Sequence, residues 1–195
     1  MNDAGHSGFV LHPQAGPTIR TARLFLRQPG PGDDVELIPI RNRPRVLDAL
    51  NKTAITVQRM RENLDQVSVE SMTSTAYSAV IEIAASSAVI GMVRLDGVLF
   101  GRSASLTVWV GHGQPERGCG REACKAMVDW GFEQLALKAI AAEVFGSNPA
   151  SFSMLDGLGF VETGVEERET HLGWRRVTKY SLSSEAWADG PNADE

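Results

Sequence analysis

The chain has 195 residues, 43% of them apolar and 22% charged, which suits one globular domain with a core of its own. Its net charge of −5 comes from acidic and basic residues interspersed along the whole length. No basic stripe is available to neutralise nucleic-acid phosphates, and a cationic or amine-bearing partner is mildly favoured.

Residues 1–18 mix Gly, Pro and small polar residues without periodicity and read as a flexible N-terminal arm. Arg23 to Arg27 reads as a first strand. The run Gly30-Pro-Gly-Asp-Asp34 then turns the chain, with Asp33 placed to cap a helix through Leu37 and Ile40. Pro44 interrupts that helix. A second helical stretch lies near Arg45 to Leu50, and a third carries Val57, Met60, Leu64 and Val67 at three- and four-residue spacing. Tyr77 to Ala84 and Ala88 to Val98, rich in Val and Ile and parted by Ser86-Ser87, have the pattern of an antiparallel hairpin. Ser103 to Val110 makes a further strand. A Gly-rich loop follows, then a helix from about Cys119 to Leu135, a strand from Lys138 to Phe145 and a short helix after Asn148. Strands around Phe160 to Thr170 and Trp174 to Leu182 close the domain, which is expected to span residues 19–182. Residues 183–195 read as a flexible acidic tail, with Trp187 the one group able to pin it to the body. The order gives an α/β fold with a mixed, mostly antiparallel sheet of six or seven strands flanked by helices.

Cys119 and Cys124 form neither a CxxC pair nor a disulfide framework, and no run approaches the roughly 18 apolar residues of a membrane span. A soluble chain of the reducing cytoplasm, acting as a monomer or homodimer, is expected.

The chemistry concentrates where a strand ends at Trp109-Val110 and a helix begins at Cys119. Glycines there let backbone approach a ligand closely, and the first N–H groups of the helix point outward with the positive end of its dipole, a geometry suited to pyrophosphate. A Walker loop would need Lys and Ser or Thr where Cys119 and Gly120 stand. A dinucleotide fingerprint fits the letters better, since Gly118-x-Gly120-x-x-Ala123 matches GxGxxG/A with Glu143 about 20 residues on. Against it, the glycines lie several residues past the strand, and only one further helix and three strands remain to build a nucleotide fold.

The segment Pro115-Glu-Arg-Gly-Cys-Gly120 instead resembles the coenzyme A loop, [QR]xxGx[GA], of the GNAT superfamily of N-acetyltransferases. Trp109-Val-Gly before it and Arg121-Glu-Ala, running into Val128-Asp-Trp-Gly-Phe132, after it are similar to the ribosomal-protein-alanine acetyltransferase-like branch. Further on, Asn148-Pro-Ala-Ser151 and Leu155-Asp-Gly-Leu-Gly-Phe160 resemble the family's NxxS helix and its "LGF" corner. Two departures stand out. Pro115 occupies the usual Gln or Arg position, and Ser105 stands where related enzymes often carry an acidic residue.

The resemblance implies a GNAT-like sheet splayed at an acyl-coenzyme A site, with acetyl-CoA as cosubstrate and a primary amine of a protein N-terminus or small molecule as acceptor. It implies pyrophosphate held by backbone amides of Arg117, Gly118, Cys119, Gly120 and Arg121, and pantetheine paired with backbone at Val108, Trp109 and Val110. Asn148, which as a residue before Pro149 is fully explained as a helix cap, would also touch pantetheine. Ser151 would protonate the departing thiolate. Glu169 corresponds best to the base of the ribosomal-protein branch, with Glu162, Glu166, Glu167, His112 and His171 as alternatives. No His, Cys and carboxylate spacing resembles a metal site. A non-catalytic acyl-CoA-binding module is the alternative reading.

Overall fold

Eight strands form one continuous sheet in the computed structural model of the chain, which describes residues 16–111 and 117–190. They are β1 (Ile19–Arg20), β2 (Leu24–Arg27), β3 (Tyr77–Ile83), β4 (Ala88–Leu99), β5 (Ser103–Val110), β6 (Ala139–Phe145), β7 (Val161–Thr170) and β8 (Gly173–Ser183). Their spatial order is β1-β2-β3-β4-β5-β6-β8-β7. Six helices accompany them: α1 (Asp33–Arg41), α2 (Pro44–Ala49), α3 (Val57–Met72), α4 (Cys119–Gln134), α5 (Pro149–Gly157) and α6 (Ser184–Ala188). No helix among the described residues is long and apolar enough to cross a membrane.

The sheet has more strands than the six or seven expected, because the chain before Arg23 adds β1, paired antiparallel to β2 over two residues. Every neighbouring pair is antiparallel except β5 and β6. Those two are joined by α4, the kind of crossover that a parallel pair needs.

Alternation along the strands divides the core between the two sheet faces. Leu24, Leu26, Tyr77, Ile81, Val93, Leu95 and Leu106 pack with Ala123, Met127 and Val128 of α4 in the main core. Val80, Val89 and Met92 face the other way, against Leu37 and Ile40 of α1 and Met60 of α3, with Trp109 laid on that smaller cluster. The sequence pattern of α3 thus buries Met60 and Val67 while leaving Val57 and Val69 exposed.

Two local expectations change. Asp33 does not cap α1; Gly32, with φ of 96°, holds that position. Asp33 is buried and instead accepts bonds from both terminal nitrogens of Arg27 and from the Gly30 amide at 2.6 Å. The expected tail also begins with structure. Ser183 caps α6, and Trp187 is buried with its indole N–H donating to Asp129 Oδ1 at 2.8 Å. Of the expected N-terminal arm, residues 1–15 lie outside the described residues.

The end of β5 is set by one close approach. Gly91 of β4 stands opposite Val110, and a Cβ there would lie 2.1 Å from the Trp109 carbonyl oxygen and 2.8 Å from Val110 Cα. Beside it, β4 carries an extra residue against β3, where the register shifts between Ile81 and Glu82. The carbonyl of that extra residue, Ile90, accepts from the Gly111 amide at 2.7 Å and carries the pairing past the strand. Gly91→Ala is therefore expected to push the end of β5 away and to cost roughly 1–3 kcal/mol of stability, read as a lowered urea midpoint.

Candidate active site

β5 and β6 pair in parallel for only three residues each, Ser103, Ala104 and Ser105 against Ala139, Ile140 and Ala141. Beyond that point they separate while each stays paired on its outer side. β4 follows β5 as far as Val110, and β8 follows β6 as far as Phe145. The inner edges, from Leu106 on β5 and from Ala142 on β6, thus carry backbone N–H and C=O groups with no strand partner. Backbone groups of this kind need a partner, and an extended amide-bearing ligand provides one.

A cavity of about 600 Å³ occupies the opening. Ser105 to Val108 form one wall and Ala142 to Phe145 the other, with Ser151 and Met154 of α5 at one end. Its roof is the end of α2 and the residues after it, Ala49 to Lys52. That roof is tied to the β7–β8 hairpin twice. Arg175 donates to Asp48 at 2.8 Å, and Thr170 Oγ1 donates to Asn51 Oδ1 at 3.3 Å. Asn51 is buried with φ of 50°, a left-handed conformation that Asn tolerates better than most side chains.

The Gly-rich segment enters α4 beside this opening. Gly118 is the residue before the helix, with φ of 79°, a conformation that glycine adopts without cost. Gly120 is half-buried, and a Cβ there would be in ordinary contact with Val110 Cγ2 at 3.6 Å and Met154 Sδ at 4.0 Å, without a clash. The first amides of α4 accordingly remain accessible next to the end of β5. Cys119 is fully buried in the main core, so its side chain packs while its amide belongs to the helix start. Burial likewise pushes the Cys124 thiol up to about 12, which leaves it a protonated core residue. The Arg121 guanidinium donates to the Gly157 carbonyl, joining α4 to the end of α5. Pro115, Glu116 and His112 lie outside the described residues.

One participant is invisible to local motif reading. Arg23, in the turn before β2, donates from Nη1 to the Arg117 carbonyl at 2.9 Å and from Nε to Glu122 Oε2 at 2.6 Å. Glu122 also accepts from Thr21 Oγ1 at 2.6 Å and from the Arg23 amide at 2.9 Å. Two residues of α4's entry are thereby clamped to the first strands, and a guanidinium with half its side chain exposed stands beside Gly118.

α5 takes the expected form. Asn148 Oδ1 accepts from the Ser151 amide at 3.2 Å, Pro149 fills the first helical position, and Ser151 is half-buried on the cavity.

The carboxylates fall differently from expectation. Glu169 is exposed, pairs across the hairpin with Trp174 and does not line the cavity. The reason is strand alternation. Glu166, Arg168 and Thr170 bond to the cavity residues Lys179, Glu143 and Asn51, which puts Glu167 and Glu169 on the other face of β7. Two carboxylates do line the cavity, Asp96 and Glu143. Glu143 is held by both terminal nitrogens of Arg168, at 2.8 and 2.7 Å. Asp96 lies directly across from Ser105 in the β4–β5 register and is paired with Arg94. The sequence position that lacks an acid is therefore faced by one from the adjacent strand.

A model of the family described as acetyltransferase (GNAT) domain matches residues 23–161. Among solved structures, the fold is similar to a ribosomal-protein-S5-alanine acetyltransferase from Vibrio fischeri, at 20% identity and a TM-score of 0.75, covering 88% of this chain and 98% of that one. A spermidine N-acetyltransferase from Vibrio cholerae, in complex with CoA and spermine, gives 20% identity and a TM-score of 0.76 over 86% and 99% of the two chains. Mycobacterium smegmatis RimJ, in complex with CoA-disulfide, gives 21%, 0.78, 90% and 91%. No curated protein matches by sequence.

The Glu122 cluster generates a pH prediction. Burial pushes the Glu122 carboxyl up, but the bonds from Thr21, the Arg23 amide and the Arg23 guanidinium outweigh it and hold the group below its ordinary 4.5. A carboxyl lowered on folding stabilises above its unfolded value and loses that contribution as pH falls through the folded one. Glu122→Gln is expected to cost about 0.5–1 kcal/mol at pH 7, a modest figure because Arg23 is half exposed. In urea denaturation, the gap between variant and parent should shrink progressively below pH 4.5.

Proposed function

We propose that this chain, which belongs to the GNAT acetyltransferase family, transfers an acetyl group from acetyl-CoA directly to a primary amine in the opening between β5 and β6. The observation that carries the reading is the parting itself: two strands, each fully paired on its outer side, present unpaired inner edges to a cavity that ends at Ser151.

The residues fit the cosubstrate. The amides at Gly118 to Arg121, the positive end of α4 and the neighbouring Arg23 would hold its pyrophosphate. The free edge at Val108 to Val110 would pair with the amides of pantetheine as an added strand does. Asn148, already committed to the Ser151 amide through its side chain, orients α5 so that its N-terminal turn faces the thioester. When bound, acetyl-CoA supplies an acyl group activated as a thioester.

The protein's own groups then do three things. A backbone N–H at the end of β5, near Val110, stabilises the carbonyl oxygen as it becomes negative. Asp96 attracts the acceptor ammonium, which sheds one proton to solvent so that its lone pair can attack, and Asp96 takes the second proton as the nitrogen bonds to carbon and turns acidic; its place in the cavity favours it over Glu169. Ser151, in the first turn of α5, gives a proton to the departing sulfur, helped by the positive end of that helix.

Calorimetry with acetyl-CoA tests the first part. Binding should be present in the parent and lost in Gly118→Glu, which combines a strained left-handed position with a carboxylate where the pyrophosphate belongs. Thiol detection of released CoA with a pool of amines tests the second. Ser151→Ala and Asp96→Asn are each expected to lower turnover by about 10²-fold, with acetyl-CoA affinity retained. Binding without CoA release to any amine would instead identify a non-catalytic acyl-CoA-binding module.

A further inference from the structure

A second cavity, of about 240 Å³, opens beneath α3 and is lined by Arg41, Met60, Asn63, Met92, Arg94 and Trp109 among others. Its relation to the first follows from register. On one face of β4 and β5 the cross-strand pairs Met92–Trp109, Arg94–Thr107 and Asp96–Ser105 succeed one another. Met92, Arg94 and Trp109 line the second cavity, whereas Asp96, Ser105 and Thr107 line the first. The Arg94–Asp96 ion pair thus marks the boundary where one cavity gives way to the other. Side chains two apart on a strand stand about 7 Å from each other, so the cavities are one such step apart.

Their charges are not balanced alike. Arg94 is shared between Asp96 and Glu70, a carboxylate that also lines this cavity and whose buried Oε2 stands 2.8 Å from Arg94. Arg41, at the end of α1, has no hydrogen bond or ion pair to any described residue, and its Nη1 is buried without a partner. Burial lowers its pKa with no carboxylate acting against that. A buried donor left unsatisfied costs the desolvation of the group, so a partner that bonds to it is favoured.

We infer that this cavity receives a carboxylate of the acceptor, paired with Arg41, while the acceptor's amine lies in the neighbouring opening. The inference rests on the transferase reading and narrows its substrate class. The acceptor carries its anionic group on the far side of the Arg94–Asp96 pair from the reacting nitrogen, within reach of Arg41. The planar guanidinium suits a carboxylate's two oxygens. A polyamine, cationic at both ends, meets like charge there. The net charge of −5 favours cations over the chain as a whole, so Arg41 is a local exception that selects within the class of amines. The carboxylate comes either from the C-terminus of a dipeptide or from an acidic side chain near a protein N-terminus.

Two matched pairs separate these sources: alanyl-alanine against its C-terminal amide, and a hexapeptide amide with Glu at its second position against the same peptide with Gln. Each is measured by kcat/KM for CoA release and by calorimetric binding to the CoA-loaded protein. In at least one pair the carboxylated member should lead by about tenfold or more, and the leading pair names the source. Arg41→Met should reduce that lead to about one, and Arg41→Lys, which keeps the charge, should retain part of it. Equal members in both pairs, or a lead that survives Arg41→Met, would overturn the inference. If no amine releases CoA while carboxylate-dependent binding is present and disappears in Arg41→Met, the transferase reading falls and the anion site stands.

Discussion

The structure depends on a short stretch of pairing that stops. Three residues of β5 meet three of β6, and after Ser105 and Ala141 the two strands diverge. Divergence inside a sheet leaves backbone groups without partners, which is tolerated only if each strand is secured elsewhere. Here β4 and β8 supply that security from outside. The opening is therefore a stable gap with rigid walls, and the start of α4, the start of α5 and the end of α2 all reach it because they leave from or cross its rim.

The rim itself is fastened by polar contacts between residues far apart in the chain. Arg23 holds the entry to α4, Arg175 and Thr170 hold the roof, and Arg168 spans Glu143 and Glu166 along the β6–β8–β7 wall. Apart from the buried Asn51, the charged partners are partly exposed, so their ion pairs contribute modestly to stability. Their effect lies in orientation. They fix loops and helix ends, which carry few apolar contacts, to strands that carry many.

How much of this was legible in the sequence depends on the range of the signal. Gly118, Asn148 with Pro149, and the Phe160 corner act within a few residues of themselves, through a left-handed backbone, a cap and a buried apolar turn, and these local rules placed both helix starts. The α4 crossover between β5 and β6 was readable for the same reason. Arg23, Asp96 and Arg41 were not, because each matters through a neighbour brought in by sheet register or by packing across the sheet. Glu169 lies off the cavity by parity. The face of β7 on which it lies is set by alternation that shifts at the bulge between Glu162 and Gly164, and a one-residue slip exchanges the faces of a strand. The eighth strand and α6 escaped notice because two residues of pairing and five of helix are below what periodicity can resolve.

The outer support of β6 has a temporal consequence. Its partner for seven residues is β8, whose pairing positions Val177 to Ser183 are among the last that a ribosome would add of those described. Until they emerge, β6 is held to the sheet by its three-residue contact with β5 alone. The opening then acquires its second wall late in synthesis, after the residues of the α4 entry have emerged. Long-range pairing of this kind closes slowly. A nascent chain halted in the β7–β8 turn would hold one half of the opening without the other.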